Sequence, residues 1–323
     1  MFKLKKKILL MATVVVVGAM GLVGCGKSTD KVEQKDDFKI TLILDEGGVN
    51  DQSFNQSAWE GAKEAEKEYE GVKVTYLESK QEADYLSNVE TAVDNDSDLI
   101  IGVGFKLTDT IGDAAELYPE QKFAIIDGAY DEVPENVQSI LFNEEESGYG
   151  VGLIAAKMTK TNKVGFVGGM DVPSVTNFLV GYEKALKEIN PDIEVITQYA
   201  NSFTDAAKGK AISQLMINDG VDIVFTAGGG VNSGVFESCK ELGVKAIGVD
   251  MPSNYISPDV ILTSALKNVG TGVKTTIGEL VNGNFEGGQA KVFDLSNGGV
   301  GYEDTALIPD DVKAFVNEKI NNR

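Results

Sequence analysis

Short apolar runs rich in β-branched residues alternate along this chain with longer segments whose apolar residues recur every three or four positions. Residues 39–44 (KITLIL), 72–77, 98–104, 122–127 and 137–142 have the length and composition of strands. Between them, residues 57–69, 84–93 and 109–118 have helical spacing. Strands that alternate with helices predict a parallel sheet covered on both faces. The pattern then restarts. Residues 163–169, 193–200, 221–229 and 244–250 read as strands, and 177–189, 205–217 and 234–242 as helices, so the chain holds two similar α/β units. Beyond them, a strand and a helix within 258–283 could hand the chain back to the first unit, and residues 290–295 (AKVFDL) could return it to the second.

The first residues follow a different pattern. Lys3, Lys5, Lys6 and Lys7 precede a long apolar run that ends in Leu22-Val23-Gly24-Cys25. That is the layout of a secretory signal peptide, and its end resembles a bacterial lipobox, in which lipid is attached to Cys25 and the leader is removed. An uncleaved transmembrane anchor is the alternative, since the run is about long enough to span. Either way the folded part lies outside the cytoplasmic membrane. The stretch from 26 to 37 has no apolar anchors and reads as a solvated tether.

At 323 residues the chain exceeds the size at which single cores stop growing. The net charge is −21, and removal of a leader with four lysines and no acid takes it to −25. A nucleic-acid partner, which needs a positive field, is therefore excluded. Histidine is absent, which removes imidazole general-base chemistry, the Ser/His/Asp arrangement and the usual zinc sites. Arginine occurs only at Arg323, so an arginine fork for a carboxylate or phosphate ligand is missing. With Cys25 lipidated, Cys239 has no partner and is expected as a buried helix cysteine.

Ligands of open α/β sheets bind beyond the carboxyl ends of the strands. Those ends carry Asp45, Asp127 and Asp250. One aspartate after a strand is an ordinary cap or turn former. Three facing one cleft carry an electrostatic cost unless a ligand uses them. In DQSFNQ (51–56), Asp51 and Ser53 are both plausible N-caps, with Gln56 at capping-box spacing from Ser53. Capping leaves Phe54 and Asn55 unexplained; Phe54 is either a loop staple or a ring that faces the cleft. Trp59, one turn on, reads as core. NSFTDAAKG (201–209) repeats the arrangement, with Ser202 or Thr204 as cap and Phe203 beside it. Closing the cleft would put a flat ligand between the two rings, and a purine's edges suit Asp45, Asn55 and Asp127. Phe105 is a third possible cleft aromatic.

Glycine runs at 167–171 and 227–234 match neither a P-loop nor a dinucleotide-binding fingerprint. They would let backbone approach a neutral ligand closely, Gly229 among them. Lys267 is either a surface lysine or, with Asp250, a donor and acceptor pair for a sugar diol.

LDEGGVNDQSFNQSAWEG, IIGVGF, FAIIDG, NSFTDAAKG, FTAGGGVNSGVF, AIGVD and TSALKNVG occur in this order across the mature chain. In these pieces the sequence resembles the basic membrane protein (PnrA-like) family of bacterial lipoproteins, purine nucleoside receptors of ABC importers. The resemblance implies an α/β, two-lobed periplasmic-binding-protein type I fold: leader 1–24, tether 25–37, one lobe from 38–142 plus 266–289, the other from 143–265 plus 290–323. It places Phe54 and Phe203 on the faces of the base, Asp45, Asn55 and Asp127 at its edge, Gly229 close by, and Asp250 and Lys267 on the ribose side. GVDMPSNY (248–255) departs from many relatives and leaves the ribose side open, a deoxynucleoside included. The implied protein is a monomer without cofactor or metal, anchored through Cys25 on the outer face of the cell membrane. It would bind inosine, guanosine or adenosine for a permease and ATPase. A receptor for a sugar or other small neutral solute, an extracellular nucleoside or glycoside hydrolase, and an adhesin stand as alternatives.

Overall fold

The computed structural model describes residues 37–322. The leader, Cys25 and nearly all of the tether lie outside the described residues, as does Arg323.

The first sheet begins with β1 (Phe38–Leu44), β2 (Val72–Glu78), β3 (Leu99–Val103), β4 (Phe123–Ile126) and β5 (Val137–Phe142). Between these strands lie α1 (Phe54–Glu68), α2 (Tyr85–Asp94) and α3 (Thr108–Leu117). After α4 (Glu144–Met158) the same plan repeats: β6 (Lys163–Gly168), α5 (Pro173–Ile189), β7 (Glu194–Tyr199), α6 (Ala206–Asn218), β8 (Ile223–Ala227), α7 (Val231–Leu242), β9 (Lys245–Asp250) and β10 (Ile261–Lys267). The chain ends with α8 (Val269–Val281), β11 (Gln289–Phe293), β12 (Val300–Tyr302) and α9 (Asp310–Asn321).

The strand orders are β11-β5-β4-β3-β1-β2 and β12-β10-β9-β8-β6-β7. Every pairing is parallel except that of β12 with β10. β3, β4 and β8 are buried at every residue, as strands covered on both faces must be. The two sheets are therefore versions of one another, with β4 and β9 in equivalent places.

Three connections run between the sheets. The first is β5 to α4, which packs with α5 and α9 in the core of the second half. The second follows Lys267, which is still paired with Val300 in the second sheet, so the crossing begins just after Lys267 and not at 266. α8 then packs on α1 so closely that a Cβ on Gly61 would lie 2.2 Å from the Gly270 carbonyl.

The third connection corrects an expectation. Residues 290–295 do not return to the second sheet, because β11 pairs in parallel with β5 and sets Phe293 opposite Phe142. The two rings stack at 5.5 Å, and Phe293 is buried in the first half's core. The return comes later, at β12.

Trp59 also departs from expectation. It is half-buried, packed against the margin of the core with its ring edge-to-face on the exposed Tyr76, centroids 4.9 Å apart. Cys239 is buried in α7 as expected, and burial pushes its thiol up to about 12.

Candidate functional site

α1 opens the site. Asp51 caps the helix, its carboxylate accepting from the backbone N–H groups of Ser53 (2.9 Å), Asn55 (2.9 Å) and Gln56 (3.0 Å). The capping box expected between Ser53 and Gln56 does not form. The Gln56 amide donates to Glu60 at 2.8 Å, and the Ser53 hydroxyl is free to point elsewhere. Upstream, Asp45 accepts from the Gly47 N–H (2.9 Å) and from the Asn55 side chain (2.7 Å). Asn55 is buried, and its carbonyl oxygen has no protein partner. A buried acceptor left in this state is a place for a ligand's N–H or O–H.

Phe54 is half-buried, with one edge over Gly104, where a Cβ would sit 3.6 Å from the ring. The second half supplies Phe203. Its cap expectation also changes: Asp205 caps α6 by accepting from Lys208 N–H at 3.0 Å, while Ser202 accepts from the N–H groups of Thr204 and Asp205. The Phe203 ring lies against Gly169, where a Cβ would come within 2.4 Å of it, and its carbonyl accepts from Gly230 N–H at 2.8 Å. Gly229 takes φ +59°, which lets the glycine turn pass under the Phe203 backbone. The Phe105 ring meets Phe203 edge-on at 6.3 Å.

Asp127 and Asp250 both take left-handed backbone angles, φ +61° and +63°. Such angles are uncommon for residues other than glycine and cluster at functional sites. Lys267 is 1% exposed and donates to Asp127 at 2.6 Å and to Glu144 at 2.8 Å. Its ammonium also lies 5.4 Å from the Phe54 ring centre and 5.2 Å from that of Phe142. The expected pairing of Lys267 with Asp250 is thus replaced by one with Asp127 and with Glu144, a residue that carries no signal in the sequence. Asp250 instead accepts a hydrogen bond from the Ser53 hydroxyl across the cleft.

Burial dominates the electrostatics. It pushes Asp250 up to about 7, opposed by Lys267 and the Ser53 hydroxyl and aided by Asp51 and Asp127. Asp127 is pushed up to about 6 by burial, with Lys267 pulling it down and Glu144 pushing it up. Asp45 and Asp51 are likewise raised by burial. Burial disfavours the Lys267 ammonium, but Asp127, Glu144 and Asp250 outweigh it and hold its proton more tightly than usual.

All eight residues expected at the site, Asp45, Phe54, Asn55, Asp127, Phe203, Gly229, Asp250 and Lys267, line one cavity. Phe105 lines it too. Val175 and Phe178, at the start of α5, were missed; their signal was Pro173 at a first helical position just beyond a strand-end glycine pair. Among the described residues no group of three or more Cys, Asp or Glu side chains is placed to hold a metal ion.

Two similar parallel sheets joined by three connections, with a cavity beyond their strand ends, define a solute-binding protein of the type I periplasmic-binding fold. Residues 38–323 match the family described as "ABC transporter substrate-binding protein PnrA-like", and the chain belongs to that family. It is 38% identical over 320 residues to the "ABC transporter nucleoside-binding protein BmpA" of Lactococcus lactis subsp. cremoris, covering 92% of this chain and 91% of that one. It is also 38% identical over 269 residues to basic membrane protein A of Borreliella burgdorferi, covering 82% and 78%. Among solved structures, a solute-binding protein of an ABC transporter system from Aeropyrum pernix K1 superimposes with a TM-score of 0.78 at 31% identity, covering 88% and 86%. The general role is that of the solute-binding component of an ABC importer, and the family and fold are those of non-catalytic proteins.

Proposed function

We propose that this protein captures purine nucleosides (inosine, guanosine or adenosine) and delivers them to the permease and ATPase of its importer. The observation that carries this reading is a cavity with Phe54 entering from one half and Phe203 from the other, rimmed by Asp45, Asn55, Asp127 and Asp250. Aromatic stacking on a flat heterocycle contributes about 0.5–1.5 kcal/mol beyond area burial. The rim is rich in acceptors, so it suits the N–H groups of a base and the hydroxyls of a sugar. The relative from Lactococcus lactis bears the word nucleoside in its name. Asp45 and Asn55 meet the base edge, Gly229 lets the backbone come close, and Asp250 and the remaining N–H of Lys267 meet the ribose.

Each sheet with its helices acts as one lobe, and ligand biases the pair toward closure. The four lysines, apolar run and Cys25 support secretion and attachment to the outer face of the cell membrane through lipid on that cysteine. Isothermal calorimetry with the three nucleosides is the test, with heat expected from at least one. A folded protein that gives none with any of them overturns the ligand assignment. Mass spectrometry of protein purified without denaturation reads out any nucleoside carried along.

A further inference from the structure

We propose that Ser53 and Asp250 form a clasp between the two halves, and that Ser53 thereby sets how slowly a ligand leaves without touching it. This rests on the reading of the cleft as closing over a ligand. Ser53 stands at the mouth of α1 in the first half, and Asp250 ends β9 in the second. They are 197 residues apart in sequence, and the hydroxyl donates a hydrogen bond to the carboxylate.

Three features make this contact more than a chance approach. Asp51 alone caps α1, so the Ser53 side chain has no role in the helix, while its N–H is fixed by the same carboxylate. The hydroxyl is thus held in position before the halves meet, and little freedom is lost in making the bond. Ser53 is 0% exposed and is not among the residues lining the cavity, whereas Asp250 is. A ligand can then use the other oxygen of Asp250 while Ser53 holds the first.

The contact is also half of a reciprocal pair. Asp127, the first-half equivalent of Asp250, accepts from Lys267 at the end of β10 in the second sheet, and Asp250 accepts from Ser53 of the first half. Each of these two carboxylates is held by a donor from the opposite half, whereas Asp45 is held by Gly47 and Asn55 of its own. Both contacts stand near the second connection, since Asp250 pairs with Leu266 in β10 and α1 packs on α8 at Gly270. Ser53 and Asp250 nonetheless belong to different halves, so the bond between them lasts only while the halves stay together.

The experiment is Ser53→Ala in the full chain, read by stopped-flow dissociation of bound guanosine or inosine. The dissociation rate is expected to rise about tenfold or more, the effect of losing one hydrogen bond to a charged group, with the association rate within about twofold of wild type. Cooperative thermal melting of the variant shows that it folds. Small-angle X-ray scattering without ligand gives a second readout, a larger radius of gyration for Ser53→Ala than for wild type. An unchanged dissociation rate in a folded variant overturns the clasp. If wild type binds no nucleoside, the ligand assignment fails, and the scattering comparison alone decides: an unchanged radius overturns the clasp.

Discussion

Asp127 and Asp250 end equivalent strands of the two sheets, share a left-handed backbone and face one cavity, yet their partners differ in kind. Asp127 is tied to a buried ammonium that also serves Glu144. Asp250 takes a neutral hydroxyl, with Lys267 near enough to act on it only through its field. The difference divides the labour. The first carboxylate belongs to a buried ion group, and the second is, on the proposed reading of the site, the one left for a ligand. Removing Lys267 should therefore have the largest effect on the fold. Lys267→Met leaves Asp127 and Glu144 buried without a counter-charge and is expected to lower the free energy of unfolding by about 3–5 kcal/mol in urea titration. Asp250→Asn keeps the shape and should cost less than about 1 kcal/mol. Equal losses in the two variants would erase the distinction between the aspartates.

Next in size is the loss of a ring. Phe54→Ala removes both stacking and apolar area from the first half's wall and should weaken nucleoside binding by about 2–3 kcal/mol in calorimetry. Phe203→Ala probes the second half. Its ring is shared with Phe105 and Gly169, so part of the wall survives, and a loss about half as large is expected. If Phe54→Ala binds as wild type does, the ring is a staple for the loop and not a face of the slot.

Acidification separates the two carboxylates more gently. Asp250 is pushed up to about 7 by burial, so below that pH it holds a proton in the ligand-free cleft. Ligand hydroxyls that bind as proposed would donate to the ionised form, and the ligand would then compete with that proton. Affinity should be level above pH 7 and fall toward about tenfold per unit below it, a trend that Asp250→Asn should flatten. Asp127 faces Lys267 and Glu144, is raised only to about 6, and enters at the lower end of the range. Calorimetry from pH 8 to pH 5.5 checks the sign: affinity that rises on acidification would show that the ligand prefers the protonated carboxyl.

The sheets and the cavity wall were legible because both depend on local rules. Buried parallel strands are continuous apolar runs, and ligands meet open sheets at strand ends, so Asp45, Asp127 and Asp250 could be named from position alone. α4 left no such trace. It is buried from Ser147 to Ala155, so no polar stripe sets its period, and Gly148, Gly150 and Gly152 interrupt its apolar residues. They are there because α5 lies almost in backbone contact: a Cβ on Gly148 would meet the Phe178 carbonyl at 2.1 Å. The sheet to which β11 belongs is not legible, because a five-residue strand carries no mark of its neighbour, and only the meeting of Phe293 with Phe142 decides it. The partners of Lys267 and Ser53 were hidden for the same reason: Glu144 and Asp250 lie 123 and 197 residues away from them.

The smallest expected effect concerns the two phenylalanine junctions. At the first, the capping carboxylate of Asp51 lies on the cavity wall, so its removal alters helix and site together. At the second, Asp205 caps α6 from outside that wall, and the glycine turn at 229–230 holds the Phe203 backbone independently. Asp205→Ala should therefore cost about 1 kcal/mol of stability, the usual value of a cap, while nucleoside affinity stays within about twofold. Urea unfolding and calorimetry on the same sample separate the two. A large loss of affinity with little loss of stability would mean that the cap, and not the glycine turn, aims the Phe203 ring.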